Sequence, residues 1–419
     1  MANPSPIVND QMMEQVLAVT EASPGAGGTP TFRLYGELQL NSARALIKKP
    51  QYRRSYDGMR GARRGIWEHT GTYRDDLTYE DFAILPRYGV APAPSAVDDG
   101  NSTHGYTRTY IPGLTASETM AVEYGFDGIV MAATGLRFDD LTVEHNVDDG
   151  DGNWKVSGNL FVRDNKLKAK STYTATAGAN TTATVSGASW TPSALIGQYA
   201  AFRSGTTGNI DEIRQITANT GTQITFAALP SAVQAGDTFD LLAAFTPSIG
   251  DRTVEYVANE GTRLFMADAF ANIALAQNEV LDKMIAFSVQ LKNNIQKKRF
   301  SNNVGGYSKK TGRGMRDVTV QITMEFDDPR EREVFESQLP KARAIRFQQE
   351  GSVINASPAT KKLARIDLPS VQWDTVDSNQ RRNSNRIAVY QGVAFADGDA
   401  VAYGGVVGFV SKTTLAALP

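Results

Sequence analysis

The stretch that most constrains this chain is residues 284–326, MIAFSVQLKNNIQKKRFSNNVGGYSKKTGRGMRDVTVQITMEF. Ile285, Phe287, Val289 and Leu291 alternate with Ala286, Ser288 and Gln290. Val318, Val320, Ile322 and Met324 alternate with Thr319, Gln321 and Thr323. A period of two places one side-chain set in a dry core and the other on a wet or partnered face. Between the two predicted strands lie Lys297, Lys298, Arg299, Lys309, Lys310, Arg313 and Arg316, spaced by glycines, with no acid from Lys292 to Arg316. A hairpin reverses in a handful of residues. A loop this long and this charged is expected to touch something outside its own domain.

The same pattern opens the chain. Residues 32–40 and 66–73 alternate as strands around a loop carrying Arg44, Lys48, Lys49, Arg53, Arg54, Arg60, Arg63 and Arg64 against a lone Asp57. Further strands are expected at 106–110, 119–124, 129–132, 135–143 and 154–162, the last two joined by an acidic turn with Glu144, Asp148, Asp149 and Asp151. Helices are expected at 76–88, with Asp76 as N-cap, and at 328–337, with Pro329 at the first helical position. Strands at 252–257, 263–266, 344–349, 362–368, 386–395 and 401–410 complete the reading.

With 419 residues, the chain is long enough for two or three domains. The divisions expected are an arm at 1–31, a β module at 32–166, an inserted small β domain at 167–247 and a second β module at 248–419. The insert is rich in Thr, Ala, Ser and Gly, with short strands between turn signals, as in an Ig-like or barrel-like domain. The hairpin over 135–162 echoes the one over 284–326, which suggests a duplicated module. Their loops differ in sign, so copies set alternately around a ring would bring acidic and basic loops together.

Composition excludes several classes. There is no cysteine, hence no disulfide and no thiolate chemistry. Lys and Arg number 43 against 45 acids, too balanced for a chain that coats nucleic acid over its whole surface. No apolar run approaches a membrane helix, and MANPSPIVNDQMMEQ has neither the basic nor the apolar region of an export signal. His69, His104 and His145 have no ligand spacing, and the acidic turn lacks the bidentate Glu of a calcium loop. Gly312-Arg313-Gly314 is not a phosphate loop. No catalytic residue, metal or cofactor is expected, and the chain is read as a non-enzyme. Tyr52, Tyr56, Phe300 and Tyr307 are interleaved with the basic residues and admit a nucleic-acid reading beside protein contact.

The order of features resembles the tail tube (major tail) proteins of long-tailed bacteriophages. The phrases that carry it are KKPQYRRSYDGMRGARRG, DLTYEDFAILPRYG, GLRFDDLTVEHNVDDGDGNWKVSGNLFVRD, RDVTVQITMEFDDPREREVFES and KLARIDLPSVQWD. The resemblance covers about 30–165 and 250–410. It implies a mainly β fold: two tail-tube-type β-sandwich modules, each with a short flanking helix, plus an inserted small β domain. It also implies a structural virion protein, assembled in the host cytoplasm, that polymerises as stacked rings into the conduit for DNA ejection. Its partners would be itself (trimeric pseudo-sixfold rings, or hexameric rings), a tape measure protein, terminator and hub proteins, and viral DNA held transiently without sequence-specific binding. Ser157, Asn159, Thr319, Gln321 and Thr323 would line the lumen. Lys48, Lys49, Arg53, Arg54, Arg60, Arg63, Arg64, Lys297, Lys298, Arg299, Lys309, Lys310 and Arg313, with Asp148, Asp149 and Asp151, would lie at contacts between subunits or rings. The alternatives are another ring-forming tail component, a distal hub or terminator, or a β-rich nucleic-acid- or carbohydrate-binding protein.

Overall fold

A computed structural model describes residues 15–48, 62–126, 129–150, 152–210, 212–242, 249, 254–298, 310–326, 329–337, 341–356, 359–382 and 385–419. The chain is mainly β and antiparallel. Its organising feature is a row of eight hydrogen-bonded strands: β1 (Glu37–Lys48), β2 (Ala62–Asp76), β3 (Asp140–Asn146), β4 (Lys155–Phe161), β5 (Met284–Lys292), β6 (Asp317–Glu325), β7 (Ala359–Arg382) and β8 (Asn385–Ala394). They lie side by side as β1-β2-β4-β3-β5-β6-β8-β7.

Strict alternation builds this row. On one face Val156, Val143, Val289, Val320, Gly392 and Trp373 follow one another across neighbouring strands, as do His145, Phe287, Ile322 and Tyr390, and all are buried. On the other face Asp76, Lys155, Glu144, Ser288, Gln321, Gln391 and Thr375 form one continuous polar line. A slip of one residue at any junction would swap the two sets, so burial fixes the register.

A second antiparallel layer covers the apolar face. It contains Arg263–Ala267, Arg343–Ala356, the first half of β7, Gly408–Thr413 and Tyr106–Tyr110. The 24-residue β7 belongs to both layers. Residues 359–371 pair in the second, and 371–382 pair with β8 in the row. Phe287 of the row stacks on Phe347 of the second layer at 4.0 Å between centroids, and Trp154 stands edge-on to Phe287 at 5.0 Å. Gln15–Thr20, Phe32–Leu34, Met120–Phe126, Ile129–Phe138 and Asp164–Leu167 extend the β structure beside the first half. Between Ala169 and Leu242 a separate seven-stranded antiparallel sheet encloses its own core of Phe202, Ile216, Ile224, Phe226, Phe239 and Leu241.

Helix α1 (Tyr79–Ile84) is buried and runs into α2 (Pro86–Gly89). Its N-cap is Thr78, whose Oγ1 accepts from the Asp81 N–H at 2.9 Å. Asp76 does not cap it, because pairing with Lys155 holds Asp76 in β2. Helix α3 (Arg330–Glu336) follows β6, with Pro329 at the cap rather than the first helical position. The strand expected over 401–410 is instead α4 (Gly398–Tyr403), capped by Asp397 and closed by Gly404 at φ 96°, followed by a strand from Gly408. The expected strand at 32–40 divides at Tyr35–Gly36, and that at 135–143 divides at Asp139, where the chain turns from one sheet to the next. Of 252–257, residues 254–257 hold one isolated bridge, Thr78 to Tyr256; the rest lies outside the described residues.

Candidate assembly surface

The row repeats. Its first four strands run in the order first, second, fourth, third, and its last four do the same. β1–β2 corresponds to β5–β6, each closed by a basic loop. β3–β4 corresponds to β7–β8. A helix follows the second strand in both halves. This corrects the match inferred from local sequence, which set the 135–162 hairpin against 284–326. Strand order pairs the latter with β1–β2, and the loops that correspond then share a sign.

The halves join through β3 and β5, with seven residue pairs from Asn146↔Ala286 to Asp140↔Lys292. The outer strands have no such neighbour. Among the described residues β1 pairs only with β2, and β7 from Gln372 to Arg382 pairs only with β8. Each therefore presents one unpaired edge.

Direction follows from the registers. Lys48 faces Ala62, Phe161 faces Thr70, and Lys292 faces both Asp140 and Asp317. Both basic loops therefore leave the same end of the row, here the loop end. The acidic turn between β3 and β4 leaves the opposite, turn end, where Lys155 faces Glu144 and Asp76. Within a ring of side-by-side copies the acidic and basic loops would sit at opposite ends. Pairing of opposite loops around a ring is thus incompatible with this topology. Asp148 is held by Arg382 and Asp149 by Lys155 at 3.1 Å.

Ser157, Asn159, Thr319, Gln321 and Thr323 all lie on the polar face. Asn159 donates its N–H and Nδ2 to Asp140 at 2.6 and 2.7 Å. On this face Lys292 stands between Asp140 and Asp317, and Lys155 between Asp76 and Glu144. Opposite charges facing across strands favour the ladder, and at these positions they leave no run of bases to neutralise a phosphate backbone. Lys48, Arg63 and Arg64 lie in β1 and β2, while Lys297, Lys298, Lys310 and Arg313 lie in a separate two-stranded hairpin, Ile295–Lys298 with Lys310–Arg313. Lys49, Arg53, Arg54, Arg60, Arg299, Lys309 and Asp151 lie outside the described residues, as do Tyr52, Tyr56, Phe300 and Tyr307.

The histidines do not converge. His69 Nδ1 bonds Ser42 Oγ at 2.8 Å, and His145 Nδ1 bonds Asn259 Oδ1 at 2.7 Å, while burial holds the His145 imidazole below its usual range. Asp98, Asp99 and His104 lie close enough to share an ion. Asp98 accepts from Gly100 N–H and contacts His104, and Asp99 accepts from Asn101 and Gly105 N–H, so the cluster closes its own exposed loop.

No family model matches the chain, and no curated protein matches it. The unpaired edges were not signalled by any motif. They are visible only once the strand order is known.

Proposed function

We propose that the chain is a structural subunit that joins side by side into rings and stacks end to end into a hollow tube, as tail tube proteins of long-tailed phages do. One observation carries the reading. The eight strands alternate in direction, β1 running toward the loop end and the second half of β7 away from it. Because the count is even, a copy rotated about an axis roughly parallel to the strands sets its β1 antiparallel to the neighbour's β7. The β3–β5 junction already makes this kind of joint inside one chain. Heterologous contacts that close give rings, and a closed barrel removes every exposed edge.

Width argues for three copies. At ~4.8 Å between strands and ~40° of tilt, 24 strands close at a backbone diameter of about 50 Å, whereas 16 close at about 30 Å. Inward side chains reduce either figure by roughly 10–15 Å, so only the larger ring clears a hydrated duplex. The polar face would line the bore, where mixed charges and amides let DNA pass without holding it. The tube is then a virion conduit, with tape measure, terminator and hub proteins as partners at its bore and ends.

Negative-stain imaging with sedimentation of the purified chain at rising concentration tests this. Rings, then tubes of uniform width, are the expected result. A monomer that stays monodisperse at the highest concentration overturns it.

A further inference from the structure

The corner at which the basic hairpin leaves the row is built on one buried asparagine and its half-buried polar partners. β5 ends at Lys292 and β6 begins at Asp317, and the hairpin arms pair separately beyond them, Ile295 opposite Arg313. Asn293 is 1% exposed. Its N–H donates to Asp139 O at 2.6 Å, and its Nδ2 donates to Gly89 O and Phe138 O at 2.7 and 3.0 Å. Its Oδ1 accepts from Arg316 Nε at 3.0 Å. The Arg316 guanidinium also donates to Val90 O at 2.9 Å and Gly113 O at 3.4 Å. Asp139 Oδ1 accepts the Ile295 N–H at 2.6 Å. Asn294, at φ 50°, turns the chain, and its Nδ2 donates to Met315 O at 2.6 Å.

A loop that merely closes a hairpin has no use for such a junction. Burying an amide is unfavourable unless its bonds are made, and a satisfied polar network fixes one geometry. Here four segments meet: the end of α2, the 111–116 loop, the Asp139 corner and the hairpin root. Arg316, counted by sequence among the outward-reaching bases, faces inward. Next to the junction in sequence stand Leu114, which follows the Gly113 carbonyl that Arg316 bonds, and Met315, which precedes Arg316; they are 106% and 83% exposed.

We propose that Asp139, Asn293 and Arg316 are positioning residues that aim the basic hairpin out of the row, so that its root, with Leu114 and Met315, meets the turn end of a second copy stacked above. This rests on the stacked-ring reading. The partner is argued from complementarity. The hairpin is acid-free and flanked by exposed apolar groups. The turn end of the first half carries Glu37, Asp76, Asp148 and Asp149, and Val147 in its turn is 47% exposed.

The test compares wild type, Arg316→Ala, Asp139→Ala, Asp139→Asn and the surface pair Leu114→Ser with Met315→Ser. Hydrogen exchange on the dilute, unassembled chain reads the corner; imaging and sedimentation of the concentrated chain read stacking. Arg316→Ala and Asp139→Ala should exchange about tenfold faster at 295–298 while β3 and β5 stay protected, and should give rings without long tubes. Asp139→Asn keeps the acceptor and should match wild type. The Leu114→Ser, Met315→Ser chain should keep wild-type exchange and need about tenfold more protein to stack. Unchanged exchange at 295–298 in both alanine variants overturns the positioning role. Tubes at wild-type concentration from the serine pair overturn the contact, and this arm stands even where an alanine variant does not fold. A wild-type chain that never forms rings overturns the tube reading instead, and the exchange arm still reports on the corner.

Discussion

Proline in β1 separates lateral joining from folding. Asn41 and Ser42 are consecutive, facing Thr70 and His69 of β2. In an antiparallel pair successive residues alternate between bonding the neighbour and pointing their N–H and C=O away from it. One of the two therefore presents its backbone to the unpaired edge. The β3–β5 junction, seven residue pairs long, serves as a guide to what such a joint is worth. At about 0.5–1.5 kcal/mol net per hydrogen bond, a ladder of this length contributes roughly 4–10 kcal/mol before the cost of association. Proline at the outward position deletes one ladder bond and leaves the facing carbonyl unpaired in the joint, a loss of up to about 3 kcal/mol. At 1.4 kcal/mol per tenfold, the concentration for ring formation should rise by up to about a hundredfold. Where Asn41 is the outward residue, the monomer should melt within about a degree or two of wild type, because an outward N–H in an edge strand has no partner to lose; Ser42→Pro also deletes the Oγ bond to His69 and should lower the melting temperature whichever way its N–H points. Proline at the other position should lower the monomer melting temperature. Sedimentation and calorimetry on Asn41→Pro and Ser42→Pro read both. If neither variant raises the concentration for ring formation, β1 is not a joining edge.

Asp75 gives a pH signature. Burial, the larger cause, lifts its carboxyl to about 7, against the Tyr73 hydroxyl that donates to it at 2.7 Å. The folded group holds its proton more tightly than the unfolded one. Stability is therefore fully present below about pH 4 and declines as pH rises toward 7, by at most about 4 kcal/mol. Asp75→Asn should flatten the melting temperature between pH 5 and 8; an unchanged slope refutes the assignment. Phe287→Ala removes the ring stacked on Phe347 and bordered by Trp154, and should lower unfolding free energy by about 3–5 kcal/mol in denaturant titration. A loss under 1 kcal/mol would mean that the two layers are not held at this point.

Local physics made some elements legible and hid others. The alternation of 285–291 and 318–324 is readable because one face is dry and the other wet, and both segments are strands with those faces. The helix after β6 is announced by Pro329 and the acids behind it. α4 was also announced, by Asp397 before it and Gly404 after it, but the Val and Tyr content of 401–410 weighed toward a strand. Asp76 suits a cap by residue type, and only its pairing with Lys155 in β2 leaves that role to Thr78. Strand order was not legible, because β3 meets β5 only across more than a hundred residues of chain. The duplicated hairpin was therefore matched by local appearance to the wrong partner. Asn293 carried no signal beyond lying in an Asn-Asn pair, since its worth depends on carbonyls of residues 89 and 138.

Stacking can be separated from ring closure by the lack of equivalence between the two halves at the turn end. A ring of three would present six basic loops at one end, two per chain, in near-sixfold array. The other end does not match it. The β3–β4 turn carries Asp148 and Asp149, whereas the corresponding β7–β8 turn is bordered by Arg381, Arg382 and Arg386. Six basic loops then find acidic turns at only three places, so the rotation between rings should follow threefold rather than sixfold preference. Asp148 and Asp149 are already paired with Arg382 and Lys155. Pairs at this exposure contribute up to about 1 kcal/mol, so exchanging one partner for another costs little. Asp148→Lys with Asp149→Lys should leave rings forming at the wild-type concentration and abolish stacking, or raise its threshold about tenfold or more. Salt near 1 M, which shortens screening to about 3 Å, should disperse wild-type tubes into rings before rings into monomers. Tubes of the lysine variant that form at the same concentration, with unchanged sensitivity to salt, would place the axial contact somewhere other than these loops.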